Sequence, residues 1–274
     1  MCELARISRA SYYRFLQRRA PQEADVELRA EMQRISLAYR RYGYRRVTAE
    51  LRRRGWIVNH KKVMRLRRED NLLAVRRRAW MTTTDSRHAS AVFPNLAPCF
   101  DVTGPNQLWV ADITYIRLQG EFVFLAVVLD VFSRRVVGWT LDRHLQASLA
   151  LSALRRAVVD RRPPPGLVHH SDRGVQYACD AYVSELLKHG MVGSMSRPGC
   201  PWDNAFCESF MRTLKEEEIH CSEYATMEDL AANLGRFIND YYNAARLHSA
   251  LGYLPPADFE LLHRKEAAAR LLPG

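Results

Sequence analysis

The alternation of apolar and polar residues predicts a β-hairpin in the middle of the chain. Residues 107–118 are rich in β-branched and aromatic types, and residues 121–131 form a second apolar run after Gly120. A third apolar run begins at residue 134, and apolar residues then recur at helical spacing over 148–161. The pattern predicts three strands followed by a helix, with Asp112 in the middle of the first strand.

Further strands and helices are predicted beyond the proline-rich break at 163–166. A short strand is predicted at 167–171, directly before Asp172, and its carboxylate is expected to project from the carboxyl end of that strand. Ligand sites commonly lie at this edge of open α/β sheets. A helix at 180–189 and a strand at 191–196 follow.

A turn then leads into a helix over residues 204–219, for which Asp203 is the predicted N-cap. Glu208 on this helix shares a face with Asn204 one turn earlier and with Lys215 two turns later. This face therefore presents one acid flanked by polar and basic groups.

Asp112, Asp172 and Glu208 are expected to converge from a strand, a strand end and a helix. Three carboxylates suit two Mg²⁺ or Mn²⁺ ions about 3.5 to 4 Å apart, which clamp the attacking and leaving oxygens of a phosphoryl displacement. The alternative is that they are ordinary surface acids, since a chain with 30 of them contains some pair at any spacing. Placement favours a metal site, because an acid within an apolar strand is costly to bury unpaired.

Three helices are predicted near the start of the chain, at 23–40, 47–54 and 60–70. The second ends at Gly55, and the third follows Asn59, its predicted N-cap. Two short helices around a glycine-containing turn are typical of a helix-turn-helix module. If the third helix lies on DNA, the contacts are its basic residues, Lys61, Lys62, Arg65, Arg67 and Arg68. The alternative is a solvated charged helix face.

The positive charge of the chain lies in its first part. Residues 1–100 carry 23 Lys+Arg and 9 Asp+Glu, whereas residues 101–274 carry 18 and 21. A basic module beside an acidic core suits a protein that binds phosphates with one part and cations with the other. The predicted regions are a basic helical DNA-binding domain (1–79), a linker (80–105), a catalytic core (106–225) and a C-terminal helical extension (226–274).

Cysteine spacing and hydropathy argue against a structural zinc site, a signal peptide and a membrane span. The six cysteines form no CxxC pair, so no structural zinc site is predicted. The first 20 residues lack the apolar core of a signal peptide, and the longest apolar run is too short to span a bilayer. A cytoplasmic protein with reduced thiols is expected, without a membrane partner.

Three sequence blocks carry a specific resemblance. WVADITYI around Asp112, HHSDRGVQY around Asp172 and SRPGCPWDNAFCESFMRTLKEE around Glu208 resemble the blocks of retroviral-integrase-like DDE transposases, in particular the OrfB-type catalytic subunit of bacterial insertion sequences. YGYRRV at 42–47 and YYNAARLHSALGYLPPADFE at 241–260 extend the resemblance over nearly the whole chain. The fold it implies is α/β, a ribonuclease H-like core of a mixed sheet flanked by helices, preceded by a small all-helical domain.

The resemblance also implies the chemistry and the partners. Asp112, Asp172 and Glu208 would bind the metal ions, Lys215 would lie near the DNA, and Asn204 is the candidate for supporting the ligands. Water or a DNA 3′-hydroxyl would attack phosphodiesters of double-stranded DNA at the element's ends and in the target. The partners implied are a multimer of the chain on DNA and a helix-turn-helix product of an upstream reading frame, either separate or fused.

Two alternatives remain open at this level. A ribonuclease H-like nuclease without strand transfer would share all three acids, but not the basic N-terminal module. A non-enzymatic helix-turn-helix regulator, or an inactive transposase remnant, would tolerate the loss of an acid, and none is lost. The sequence leaves the terminal repeats, the target sequence and the base-reading residues undetermined.

Overall fold

The computed structural model describes residues 8, 13, 23–72, 93–97, 100–197 and 201–271 of the 274-residue chain. The chain divides into two compact units, Met1–Arg76 and Arg77–Gly274. In the part of the chain that the structure describes, no helix has the length and apolar character needed to cross a membrane.

The first unit contains three described helices, α1 (Glu23–Ala38), α2 (Tyr44–Arg53) and α3 (His60–Glu69). Their apolar faces meet in a small core, which includes Ile35, Leu51 and Leu66, each fully buried. The Asn59 side chain accepts a hydrogen bond from the Lys61 backbone N–H at 2.9 Å, which confirms the predicted N-cap of α3. Helix α2 begins three residues before the predicted start at Val47.

The second unit is built on a five-stranded mixed sheet. Its strands are β1 (Leu108–Arg117), β2 (Phe122–Asp130), β3 (Val136–Asp142), β4 (Val168–Ser171) and β5 (Val192–Met195). They lie in the order β3-β2-β1-β4-β5. The first three pair antiparallel through hairpins, whereas β1 pairs parallel with β4, and β4 with β5. The predicted hairpin, with Asp112 in mid-strand, is confirmed.

Helices cover both faces of this sheet because the buried residues of β1 alternate between two cores. Trp109 faces one core with α4 (Ala147–Arg161), α5 (Val175–Ala178) and α6 (Asp180–Lys188). Val110 faces the other core, which contains apolar residues of α7 (Ala205–Glu217), α8 (Met227–Arg236) and the π-helical turn Phe237–Asn243. The last helix is α9 (Pro256–Leu271).

Ion pairs connect the last helix to the sheet. Glu260 of α9 is fully buried and accepts hydrogen bonds from the Arg161 guanidinium at 2.7 and 2.9 Å and from Arg135 at 3.2 Å. Removing one partner of such a buried pair costs about 3–5 kcal/mol, because it leaves an uncompensated charge. These contacts fix α9 beside the end of α4 and the start of β3.

Part of the predicted linker packs on the catalytic unit. The Leu96 N–H donates to the Ser194 hydroxyl at 2.9 Å, and the Met195 N–H donates to the Pro94 carbonyl at 3.4 Å, so residues 93–97 lie along the edge strand β5. Prolines and polar residues made this stretch resemble a free connection. Its backbone is instead used to satisfy an otherwise open sheet edge.

The contact between β3 and α4 depends on a glycine. A Cβ atom added to Gly138 would lie 2.3 Å from the Ala153 carbonyl oxygen and 2.8 Å from the Ala157 Cβ. Neither neighbour has a flexible side chain that turns away. We therefore expect Gly138→Ala to destabilise the catalytic unit by about 2–3 kcal/mol, measured by chemical denaturation.

The matched control is Gly120→Ala in the β1–β2 turn, where a Cβ would meet nothing within 4 Å. The control should unfold within about 0.5 kcal/mol of the wild type. Equal stability of the two variants would contradict the close packing of β3 on α4.

Candidate active site

The structure brings the three predicted acids within electrostatic range of one another. Burial, and after it the charge of Asp172, raises the pKa of Asp112 to about 7; Glu208 also raises it. All three carboxylates raise the pKa of the buried Cys207 thiol, which lies next to Glu208 on α7, although burial is the larger cause. One strand, one strand end and one helix therefore place their acids around the same point.

Backbone donors hold two of the carboxylates. The Ile113 N–H donates to the Asp112 carboxylate at 2.9 Å, and the Gly174 N–H donates to the Asp172 carboxylate at 3.0 Å. A Cβ at Gly174 would lie 3.0 Å from that carboxylate and 2.9 Å from the Gln176 side-chain oxygen. A glycine at this position thus leaves room for Asp172 beside its donor.

Asn204 joins the helix that carries Glu208 to the strand that carries Asp112. Its buried side-chain N–H donates to the carbonyl of Ala111 at 3.0 Å. Its side-chain oxygen is buried and has no hydrogen-bond partner among the described residues, which is costly unless a further group satisfies it. Asn204, and not Asp203 as predicted, is the N-cap residue of α7, although its side chain makes no capping bond.

Asp203 instead holds the loop before α7. Its carboxylate accepts from the Arg197 N–H at 2.9 Å, from the Arg197 guanidinium and from the Asn95 amide at 2.8 Å. The Arg197 hydrogen bonds lower the pKa of Asp203 to about 2. Sequence reasoning missed this role, because it depends on Asn95, which comes 108 residues earlier.

Two buried histidines support strand β4 just before Asp172. His170 contacts the hydroxyls of Ser194 and Ser196 at 2.8 and 3.0 Å, and His169 contacts the Tyr182 hydroxyl at 3.0 Å. Burial lowers the pKa of His170 to about 4 and that of His169 to about 3. Both are neutral at pH 7, so their contribution is to fix the strand.

Lys215 reaches the acids from the last turn of α7. Its ammonium group lowers the pKa of Asp112, and its Nζ atom lies 5.3 Å from the ring centroid of Tyr115. The predicted face of α7 thus brings Glu208 and Lys215 to the same side of the sheet as Asp112. A cation there offsets part of the negative charge and is available to a phosphate.

The predicted basic residues of α3 do not all lie on one surface. Lys61, Arg65 and Arg68 are exposed, and Lys62 is partly buried. Lys62 pairs with Asp25 at 2.6 Å. Arg67 is only 5% exposed, and its guanidinium donates to the Ser36 hydroxyl at 3.3 Å. Position 67 follows Val63 by one turn, which points it inward, so its placement does not support contact with DNA.

The donors suit a hard divalent cation. They are carboxylate oxygens, with an unpartnered amide oxygen on Asn204 beside them. Among the residues the structure describes, however, no three His, Cys, Asp or Glu side chains lie close enough together to hold a metal ion. The chemistry of the donor set fits a metal, and the side chains must approach one another further to coordinate it.

Family models match both units. An "Integrase core domain" model matches residues 102–201, a second model of that description matches 189–256, and an "HTH-like domain" model matches 23–80. The mixed sheet and its flanking helices are those of an integrase core, whose family uses divalent metal ions.

Relatives that match nearly the whole chain identify its family. The chain is 37% identical over 266 residues to transposase InsF for insertion sequence IS3A of Escherichia coli K12, covering 95% of this chain and 92% of the relative. It is 36% identical over 272 residues to an insertion element IS600 uncharacterized 31 kDa protein of Shigella sonnei, covering 98% and 100%. The chain belongs to the family of IS3 insertion-sequence transposases, which are enzymes of the DDE type.

Solved structures with a similar fold are also found. The HTLV-2 integrase catalytic core in complex with magnesium is 15% identical, with a TM-score of 0.45, and covers 58% of this chain and 98% of its own. The catalytic core of BIV integrase is 16% identical, with a TM-score of 0.45, and covers 60% and 99%.

The raised pKa of Asp112 predicts how stability depends on pH. The folded protein binds this proton more tightly than the unfolded chain, whose carboxyl titrates near 3.8, so stability falls as pH rises from about 4 to about 7. Asp112→Asn removes this cost. Without divalent metal, we expect its thermal midpoint at pH 8 to exceed that of the wild type by about 5 °C, and the difference to vanish at pH 4.

The control is Asp240→Asn, which alters an exposed carboxylate on the π-helical turn. Differential scanning calorimetry at the two pH values should show little change for it. Identical thermal midpoints for the wild type and Asp112→Asn at pH 8 would contradict a destabilising effect of the ionised Asp112 carboxylate.

Proposed function

We propose that this chain cuts DNA strands at the ends of an insertion sequence and joins the freed ends to a target, with Asp112, Asp172 and Glu208 as its catalytic residues. The observation that carries the proposal is that Asp172, at the carboxyl end of β4, and Glu208, on α7, lie near enough to Asp112 for their charges to add to the effect of burial in raising its pKa. The integrase core family supplies the reaction class.

The proposed cofactor is Mg²⁺ or Mn²⁺, as two ions held by the three acids. When bound, such a pair stabilises charge on the attacking and leaving oxygens of an in-line phosphoryl displacement. The chain's own contribution is to hold its ligands ready. The N–H groups of Ile113 and Gly174 orient two carboxylates, and Asn204 keeps the helix of Glu208 against β1.

Both proposed steps are the same displacement at phosphorus. Water cuts the strand at the element's end, and the 3′-hydroxyl that this releases attacks a second phosphodiester. Neither step needs a covalent protein intermediate, so no serine or tyrosine nucleophile is required. Lys215 is proposed to bind a phosphate of the strand being cut, and its electrostatic effect on Asp112 supports a position near the acids.

The N-terminal unit is proposed to bind duplex DNA through α3. The exposed cations Lys61 and Arg68 have no acid partner among the described residues, whereas Lys62 pairs with Asp25 and Arg65 pairs with Glu69. DNA phosphates would bind the unpaired cations directly and would compete with the acidic partners of the paired ones. The HTH-like family match, at residues 23–80, covers this helix.

Two DNA ends and a target must be handled together, so we propose a multimer of the chain on double-stranded DNA in the cytoplasm. An upstream-frame helix-turn-helix product, separate or fused, remains part of the proposal. Of the alternatives, a nuclease without strand transfer would release cut ends without joining them. A regulator or inactive remnant would bind DNA without cutting it.

The mechanism is tested by Asp172→Asn. The substitution keeps the size and the Gly174 contact but removes the charge needed for the cation, so Mg²⁺-dependent cleavage should fall at least 10³-fold, as roughly expected for loss of a main charge-stabilising group. DNA affinity should stay within about threefold, because the N-terminal unit is unchanged. The measurement uses labelled duplexes from the DNA flanking the gene and separates cut from joined products.

A graded variant checks the supporting role of Asn204. Asn204→Ala should slow cleavage by about 10- to 100-fold and raise the Mg²⁺ concentration for half-maximal rate, as expected for a group that orients ligands.

Full Mg²⁺-dependent cleavage by Asp172→Asn would refute the mechanism, and cut ends that never join would favour the nuclease.

DNA binding by α3 is tested by the double variant Lys61→Ala, Arg68→Ala. Removing two phosphate contacts should weaken duplex binding at 0.1 M salt about tenfold and reduce the slope of log affinity against log salt by about 2. Arg34→Ala, which removes an exposed cation of α1, is the control. An unchanged salt slope in the double variant, measured by fluorescence anisotropy, would place the DNA elsewhere.

A further inference from the structure

Two exposed aromatic side chains lie on the β1–β2 hairpin. Tyr115 is 41% exposed and Phe122 is 51% exposed, and among the described residues of the catalytic unit they are the most exposed aromatic rings. Their partners across the hairpin are Phe124 and Arg117, so the two are diagonal neighbours on one face. We call them the hairpin aromatic pair.

The geometry of the pair leaves a ring face open. The ring centroids are 5.8 Å apart, and the ring planes meet at 74°, an edge-to-face contact. One ring therefore braces the edge of the other without covering both of its faces. Burial of either ring in the unit's own core would stabilise the fold by more than this exposed contact does.

Cations flank both rings. The Lys215 Nζ atom lies 5.3 Å from the Tyr115 centroid, and the Arg117 guanidinium carbon lies 5.9 Å from the Phe122 centroid. The acid nearest in sequence, Glu121, is paired with Arg143 at 3.1 Å, so it does not cancel this positive character. Aromatic rings interleaved with cations are the chemistry by which proteins hold single-stranded nucleic acid.

The pair lies on the same strand as one of the acids. Tyr115 follows Asp112 by three residues on β1, about 10 Å or roughly three base steps of DNA away, and this odd spacing turns the two side chains to opposite faces of the sheet. Lys215 connects the two places, because its ammonium group acts on both Asp112 and the Tyr115 ring. A strand that is cut at the acids and follows Lys215 would reach the hairpin after several nucleotides.

We infer that the hairpin aromatic pair is a stacking site for an unpaired nucleobase several nucleotides from the cut phosphodiester, with Lys215 and Arg117 holding phosphates of the same strand. This inference rests on the proposed function and adds a substrate feature to it. The preferred DNA has unpaired bases beside the cleavage point. Stacking depends on ring area and is tolerant of base identity, so the site favours open DNA and not a particular sequence.

The test compares two duplexes of equal length from the DNA flanking the gene, one fully paired and one with three unpaired nucleotides at its end. The full chain carrying Asp172→Asn is used with Mg²⁺, so that binding is read without cleavage. A 2-aminopurine among the unpaired bases reports stacking by loss of fluorescence. We expect about tenfold tighter binding of the unpaired duplex, with quenching.

Variants in that background then locate the effect. Tyr115→Ala and Phe122→Ala should each remove most of the preference and the quenching, whereas Tyr115→Trp should keep both because it keeps a ring. Val159→Ala, which trims an exposed apolar side chain on α4, is the control and should behave as the parent. Because both aromatic positions are exposed, the alanine variants are expected to fold, and circular dichroism checks this.

Three results would overturn the inference. One is a parent protein that binds both duplexes equally, and another is an alanine variant that keeps the full preference and quenching. If the alanine variants instead change only the sedimentation of the free protein, the pair is a contact between copies of the chain and the inference is wrong. If the wild type cuts and joins DNA but shows no stacking, only this inference is wrong. If the wild type never cuts DNA, the proposed function is wrong.

Discussion

The burial of one carboxylate beside two further acids sets the main requirement on this fold. Burial raises the pKa of Asp112 to about 7, and the charges of Asp172 and Glu208 add to that effect. Carboxylates at such proximity destabilise the metal-free fold, so the surrounding structure must hold them against a force that separates them. The sheet and its helices provide that hold, and a cation would turn the repulsion into attraction.

The hold consists of buried contacts that bridge distant parts of the chain. Asn204 ties α7 to the carbonyl of Ala111, Asp203 gathers Arg197 and Asn95, and His170 sits between two serine hydroxyls of the edge region. None of these groups needs to touch DNA to matter for the reaction. Each restricts the position of one element that carries an acid, which is how a site is kept within tolerance before its ligands arrive.

Local pattern predicted most of the core, and the exceptions have physical reasons. The period-two alternation gave Asp112 its place in mid-strand, and the apolar spacing of 148–161 predicted α4 within one residue at its start. Asp203 was assigned as a cap because acids favour that position, but a guanidinium 6 residues away holds its carboxylate instead. Arg67 was predicted to contact DNA because of its charge, but its position on α3, one turn after the buried Val63, points its side chain inward. The packing of 93–97 on β5 depends on contacts about 100 residues apart, which no local pattern contains.

We propose that Asp112, Asp172 and Glu208 share divalent cations. Anomalous scattering from crystals of the full chain soaked in Mn²⁺ can locate such ions, because Mn²⁺ scatters anomalously and takes the same oxygen ligands as Mg²⁺. We expect anomalous density between the three carboxylates, within about 2.0–2.4 Å of their oxygens, and its loss in Asp172→Asn crystals. Density held by other residues, or none at the three acids at millimolar Mn²⁺, would contradict it.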